Sequence, residues 1–213
     1  MPERTVQSSA CGCEGEVSAN NAVEYRRKVD ARESALARAG IPKRYWDIPE
    51  DVTHLQAITT NGGLFIHGQV GRGKTHLAVA TQKAWMNRHR NSRSVFVDSN
   101  SIFSIIRASY DSGESERESI WRFINADLLT YDDLAKGKPG EWSLEKVETI
   151  VNERWNSGRP TIFTCQWSGD SLIQRLAEGG SYESAEAIVS RIAGMCKIVR
   201  LSGPDRRMVE REA

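Results

Sequence analysis

Residues 64–75, LFIHGQVGRGKT, decide the fold of this 213-residue chain. They join a short apolar run to a glycine-rich turn and then to a helix-forming stretch, and residues 68–75 match the pattern G-x-x-x-x-G-K-[ST] in full. The glycines allow successive main-chain N–H groups to converge on an anion, and the positive end of the following helix dipole faces the same point. The pattern therefore predicts a phosphate-binding loop in which Lys74 reaches the β- and γ-phosphates and the Thr75 hydroxyl binds Mg²⁺.

The predicted nucleotide contacts come from most of this loop. They are Gly68, Gly71, Arg72, Gly73, Lys74 and Thr75. The alternative is a glycine-rich turn that binds no ligand, and the position of the motif between a strand pattern and a helix pattern disfavours it.

A second motif, residues 127–133 (DLLTYDD), places two carboxylates directly after a mostly apolar run. The end of a buried parallel strand is where ligands bind in open α/β sheets. Asp132 is therefore predicted to support Mg²⁺, and Asp133 is predicted to orient or deprotonate the attacking water. A strand-ending turn with two solvated aspartates is the alternative.

Short apolar runs alternate with helical patterns along the rest of the chain. This alternation predicts an α/β fold, a parallel five-stranded sheet with helices on both faces. The predicted strands lie at 64–66, 94–97, 127–131, 161–165 and 196–201, and the predicted helices between them lie at 74–87, 101–110, 118–125, 143–156, 170–178 and 183–193.

The amino-terminal part of the chain has a different composition from the rest. Residues 1–18 are polar and lack apolar periodicity, so they are predicted to form a disordered tail. Residues 19–42 favour a leader helix, a possible partner-binding segment, and residues 43–213 form the predicted catalytic domain. Cys11 and Cys13 resemble half of a zinc site, but no second pair of Cys or His follows nearby.

Composition excludes several classes of protein. Lys and Arg total 29 against 28 Asp and Glu, so any contact with nucleic acid must use a local patch. The densest basic cluster comprises Lys83, Arg88, Arg90 and Arg93, which could bind a DNA backbone or simply end an exposed helix.

No apolar run approaches the roughly 20 residues that span a bilayer, and the start lacks the apolar core of a secretion signal. A cytoplasmic protein with reduced thiols is therefore expected.

In order along the chain, residues 68–78, 127–134, 160–166, 190–191 and 203–207 resemble the DnaC/IstB-like branch of the AAA+ P-loop ATPases, as does the stretch 39–45. The resemblance covers roughly residues 39–207. It implies an ATPase that uses ATP and Mg²⁺ and assembles as a homo-oligomer on single-stranded DNA, with no membrane contact. The branch comprises loaders of replicative helicases and helper ATPases of transposition.

The resemblance also implies roles for residues outside the two motifs. Arg191 matches the arginine finger that completes a neighbouring subunit's site, and Arg207 matches the second sensor, with Arg206 an almost equal candidate. Gln166 stands where the family has the asparagine of its first sensor, so it has to reach farther with the same amide chemistry. Because only six residues follow Arg207, a lid domain is expected to be vestigial or absent.

Two further residues have alternative interpretations. His76 follows the loop at a position where the family tends to have histidine, and helix packing explains it equally well. Tyr45 could stack on adenine or pack in the core.

Three functions remain open from the sequence. The first is an ATP-hydrolysing loader that helps to place a replicative helicase on single-stranded DNA. The second is an IstB-like transposition ATPase, and the third, from another class, is a nucleotide-gated binding scaffold with little turnover. A small-molecule kinase is a more distant possibility, because it leaves Arg191 without a role.

Overall fold

The computed structural model describes residues 13–58, 62–113, 115–137 and 140–205. Within these ranges the chain forms five strands and seven α-helices, with short 3-10 helices at Lys43–Tyr45 and Leu55–Ala57. The strands are β1 Gly63–His67, β2 Ser94–Asp98, β3 Leu128–Leu134, β4 Thr161–Cys165 and β5 Cys196–Arg200. The helices are α1 Cys13–Arg38, α2 Lys74–Arg88, α3 Ser99–Ser112, α4 Glu116–Ile124, α5 Glu141–Asn156, α6 Asp170–Ala177 and α7 Tyr182–Met195.

All neighbouring strands are parallel, in the order β2-β3-β4-β1-β5. This arrangement confirms the predicted α/β sheet. The strands β1, β3 and β4 lie in the interior of the sheet and are almost wholly buried, which explains why their sequences are continuous apolar runs instead of alternating patterns. Their carboxyl ends meet at one edge of the sheet, so the segments that follow β1, β3 and β4 are brought together there.

Hydrophobic clusters hold the helices to the sheet. The larger cluster packs α3 to α7 against β3 and β4, with Ile106, Phe123, Val151, Leu172 and Ile188 among its members. A smaller cluster packs α2 against β1 and β4. These clusters fix the helix after the loop relative to the strands that carry the carboxylates.

The first helix begins at Cys13, within the predicted tail, and residues 1–12 lie outside the described residues. Its carboxyl end is docked on the domain, because Leu36 and Ala39 are buried against Val79 of α2 and Phe96 of β2. The Phe96 N–H also donates to the Ala39 carbonyl at 2.6 Å. No helix in the described part of the chain is long and apolar enough to cross a membrane.

Candidate nucleotide site

The loop between β1 and α2 has the backbone conformation that the motif requires. Gly71 and Gly73 have φ of 77° and 83°, in the left-handed region where a side chain is strained. Gly73 is the N-cap of α2, so the first free N–H groups of that helix face the loop. Lys74 Nζ donates to the Gln69 carbonyl at 2.9 Å, which folds the lysine back over its own loop. The loop thus presents donors and one buried cation to a common space.

The Thr75 hydroxyl and the Asp132 carboxylate meet across 57 residues of sequence. Thr75 Oγ1 donates to Asp132, with distances of 2.9 Å to Oδ1 and 3.1 Å to Oδ2. Asp132 is only 5% exposed. Burial raises the pKa of this carboxyl from its ordinary value, although hydrogen bonds from Thr164 and Thr75 oppose the rise. The two magnesium ligands predicted from the sequence are therefore in contact.

Thr164 on β4 contacts both aspartates of the second motif. Its hydroxyl donates to Asp132 Oδ1 at 2.6 Å and accepts the Asp133 N–H at 2.9 Å. Thr164 is fully buried, and its bond to Asp132 is buried with it. This residue orients Asp132 and fixes the backbone of Asp133.

The backbone leaves regular strand geometry at Asp133. The pairing of β3 with β4 shifts between Tyr131 and Leu134, and Asp133 has a φ of 55°. Left-handed geometry at a non-glycine residue costs on the order of 1 kcal/mol. The Ser99 hydroxyl donates to the Asp133 carbonyl at 2.8 Å and so helps to hold this irregularity. The bulge turns the Asp133 side chain away from the direction that a regular strand would give it.

Lys136 engages the Asp133 carboxylate. Its Nζ lies 2.6 Å from Oδ2, in a pair whose lysine side chain is 55% exposed and whose aspartate side chain is 33% exposed. The hydrogen bond to Asp133 raises the pKa of Lys136, and the charges of Asp132 and Asp98 raise it further. Lys136 therefore supplies positive charge to a carboxylate-rich edge of the sheet.

The residues at this edge fit a magnesium ion. Thr75 and Asp132 supply hard oxygen ligands, and a buried carboxylate with a raised pKa gains from a nearby cation. Among the described residues there is no group of three or more His, Cys, Asp or Glu that could hold a metal alone.

The other predicted site residues are distributed differently. Gln166 follows β4 at the same edge of the sheet and is exposed, and His76 is exposed on the first turn of α2. Tyr45 instead packs beside the cluster that joins α1, α2 and β2, so its contact with adenine stays a prediction. Arg191 is half-buried on α7 and makes no hydrogen bond or ion pair within the described ranges.

Some sequence-based expectations concern residues whose structure is not described. Arg206 and Arg207 lie outside the described residues, as does Cys11. The roles proposed for the two arginines remain predictions.

Sequence reasoning missed the roles of Thr164 and Lys136. Thr164 lies in the stretch 160–166 that resembles the family, but the role of first sensor was predicted for Gln166, two residues later. The signal that could have identified Thr164 is a hydroxyl in an otherwise apolar central strand, where a polar side chain needs a partner. For Lys136 the spacing of three residues from Asp133 was visible, but the bulge that brings the two together was not.

Known proteins resemble this chain in sequence and in fold. Residues 49–179, more than half of the chain, match the model of the bacterial DnaA ATPase domain. A replicative helicase loader, DnaI of Bacillus subtilis (strain 168), is 24% identical over 152 residues, which cover 68% of this chain and 47% of that protein. The chain spans about half the length of the first curated relatives that it matches.

Two solved structures show the same fold. The crystal structure of a DnaC helicase loader has a TM-score of 0.62 and 26% identity, and the match covers 76% of this chain and all of that one. Domain III of the Thermotoga maritima initiation protein DnaA has a TM-score of 0.54 and 25% identity, over 86% of this chain and 69% of that one. The match of residues 49–179 of this chain to the family model, together with the fold that it shares with the DnaC structure, shows that the chain belongs to the family of the bacterial DnaA ATPase domain and is a DnaC-like AAA+ protein.

Proposed function

We propose that this protein is an ATPase that helps to load a replicative helicase onto single-stranded DNA in the cytoplasm. The observation that carries the proposal is the contact of Thr75 with Asp132 beside a complete phosphate-binding loop. These are the parts that hold a nucleotide triphosphate and its magnesium in P-loop enzymes. The family membership and the similarity to helicase loaders direct the proposal toward replication.

The residues of the chain divide the work of hydrolysis. The main-chain N–H groups of residues 68–75 bind the phosphates, and Lys74 gives up its bond to the Gln69 carbonyl to contact them. Thr75 and Asp132 hold Mg²⁺, which when bound neutralises charge on the β- and γ-phosphates. Asp133 orients the attacking water and accepts its proton, while Thr164 keeps both aspartates in place. Gln166 donates its amide to the γ-phosphate from the neighbouring strand end.

The position of Arg191 supports a site shared between subunits. Arg191 lies near the end of α7, close to the start of β5, where Cys196 pairs with Gly63. The phosphate loop follows the other end of β1, four residues or about 13 Å farther along the strand. An arginine in this position reaches a γ-phosphate more readily in a second copy of the chain than in its own. Hydrolysis then depends on assembly, because a guanidinium delivered across an interface stabilises the transition state.

We assign the helicase contact to α1. In its described part Val23 and Tyr25 are 50% and 70% exposed, although both are large apolar side chains. The end of the same helix is anchored by Leu36, so a partner held on α1 would be tied firmly to the ATPase domain. Exposed apolar side chains on an anchored helix are available for contact with a partner protein.

A scaffold with little turnover is the second function that a specific observation favours. The ion pair of Lys136 with Asp133 occupies one oxygen of the proposed general base. An IstB-like transposition ATPase shares the same site, and only the partner distinguishes it from a loader.

Hydrolysis and binding tests separate these functions. We expect steady-state ATP hydrolysis with single-stranded DNA to be lost in Lys74→Ala and in Asp132→Ala. A wild-type protein that binds ATP without turnover would support the scaffold instead. Size-exclusion chromatography with the host's replicative helicase, with and without ATP, tests the partner, and co-elution with a transposase alone would support the transposition ATPase.

A deletion and a point variant test the role of α1. Removal of residues 1–30 leaves Leu36 in place, so it should spare ATP binding and abolish co-elution with the helicase. Tyr25→Ser should weaken the helicase contact in the same way. Helicase affinity that is unchanged in both variants would refute the assignment of α1.

A further inference from the structure

Residues 201–205, which we call the terminal segment, run beside the phosphate-binding loop. The Leu201 N–H donates to the His67 carbonyl at 2.8 Å, which continues the pairing of β5 with β1 beyond the strand. The Leu201 carbonyl oxygen lies 2.3 Å from the position that a Cβ atom would occupy at Gly68. Only glycine allows this approach, so the first glycine of the motif also makes room for the terminal segment.

The terminal segment brings a carboxylate onto the loop. The Cγ and Oδ1 atoms of Asp205 both lie 2.0 Å from the position of a Cβ atom at Gly71, and Oδ2 lies 2.1 Å from it. Gly71 is buried, and Asp205 is half-buried. The carboxylate therefore rests against the main chain of the fourth residue of the motif.

The chemistry of this contact opposes nucleotide binding. Converging main-chain N–H groups and the amino end of α2 make the loop favourable for an anion, and a carboxylate is an anion. A polyphosphate has the same sign of charge and uses the same loop. The two groups repel each other at short range, and the repulsion is strong because the loop is partly shielded from solvent.

We propose that Asp205 is a further residue of the nucleotide site, whose carboxylate competes with the polyphosphate for the loop at residues 68–75 and lowers the affinity for nucleotide. This inference rests on the proposed function, because the loop must bind nucleotide for Asp205 to oppose it. The motif does not contain Asp205, and a charge 134 positions after Gly71 acquires this role only through the pairing of β5 with β1.

Equilibrium titration of the full chain with fluorescent ATP and ADP analogues, in the presence of Mg²⁺, tests the proposal. Asp205→Asn and Asp205→Ala remove the charge, and we expect each to bind the ATP analogue about three- to ten-fold more tightly than wild type at low salt. Asp205→Glu keeps the charge and should behave more like wild type. The gain in affinity should be larger for the ATP analogue than for the ADP analogue, and it should become smaller as added salt screens the charge.

Two reference variants make the result specific. Glu33→Gln removes a carboxylate from an exposed position on α1, so it controls for net charge and should bind like wild type. Lys74→Ala defines the signal of a disabled loop. Circular dichroism of every variant confirms that it is folded.

Each outcome decides the question. If Asp205→Asn and Asp205→Ala bind the ATP analogue no more tightly than wild type, the proposed competition is overturned. Wild-type binding that is tighter than that of Lys74→Ala would still support the nucleotide site. If wild type and Asp205→Asn both bind no better than Lys74→Ala, the proposed function fails and the inference fails with it. A gain that Asp205→Glu shares fully would show that charge is not the cause, and it would also overturn the proposal.

Discussion

Replacement of Thr164 by valine tests whether this hydroxyl organises the site. The change keeps the shape of the side chain but removes the donor to Asp132 and the acceptor of the Asp133 N–H. A hydrogen bond to a charged group contributes about 1.5–3 kcal/mol, and a neutral bond contributes about 0.5–1.5 kcal/mol. Because Thr164 and its bond to Asp132 are buried, water cannot replace that bond. We expect Thr164→Val to lower the free energy of unfolding by about 2–4 kcal/mol, which a typical domain survives.

Thr130→Val is the matched control for this substitution. Thr130 is also fully buried and lies on the adjacent strand β3, opposite Ile162 of β4. Its Oγ1 has no hydrogen-bond partner among the described residues. Because valine removes an unsatisfied hydroxyl there, we expect Thr130→Val to leave stability unchanged or to raise it by about 1 kcal/mol.

Urea unfolding monitored by circular dichroism measures both variants without magnesium or nucleotide. A second measurement, the titration of a fluorescent ATP analogue with Mg²⁺, should show about ten-fold weaker binding in Thr164→Val, because a displaced Asp132 carboxylate would weaken the proposed metal site. Thr130→Val should bind like wild type. Equal losses of stability in the two variants, or wild-type ATP affinity in Thr164→Val, would refute the role given to Thr164.

Three further predictions concern the same edge of the sheet and the proposed site shared between subunits. Ala135→Gly should raise the free energy of unfolding by about 1 kcal/mol, since Ala135 has a φ of 64°; a loss of stability in urea unfolding would contradict this. Because the pKa of Asp132 is raised in the folded protein, the folded state binds the proton of this carboxyl more tightly than the unfolded state does. Asp132 therefore contributes stability below about pH 3.8, and this contribution is lost as the pH rises through the folded-state pKa. Without Mg²⁺, Asp132→Asn should therefore be more stable than wild type at pH 7, and the difference in free energy of unfolding should shrink toward pH 4. The opposite trend in urea unfolding at several pH values would count against the burial argument. Arg191→Ala should bind ATP normally but hydrolyse it at least about a hundred-fold more slowly than wild type. Mixing Arg191→Ala with Asp133→Asn protein should restore part of the ATPase activity. No recovery of activity at any mixing ratio would exclude a shared site.

Much of the fold could be predicted from the sequence because its signals are local. The five apolar runs are strands, and the helical stretches between them are helices, with ends that differ from prediction by a few residues. The loop could be identified for the same reason, because its glycines, lysine and threonine are consecutive and their chemistry depends on backbone conformation within eight residues. Asp132 could be identified because it follows an apolar run that predicts a buried strand, although that strand, β3, continues to Leu134.

Arg154 shows where local reasoning stops. It lies on α5 among charged neighbours, yet it is fully buried, and its guanidinium donates to the carbonyls of Phe123, Ile124, Ala126 and Pro160. Burial lowers the pKa of Arg154 to about 9. These bonds fix the approaches to β3 and β4, the strands whose far ends carry Asp132 and Thr164. No periodicity in α5 indicates this, because the acceptors lie outside that helix.

The sequence by itself determined that this protein has a phosphate-binding loop, a paired carboxylate motif and a parallel sheet, since each depends on residues that are close along the chain. Only the tertiary structure decided which side chains complete the site. The order of the strands places β4 between β1 and β3, so Thr164 meets Asp132, and the pairing of β5 with β1 carries Asp205 onto Gly71. Such contacts join residues 32 and 134 positions apart, and they exist because strand pairing, not sequence spacing, fixes which strand ends are neighbours.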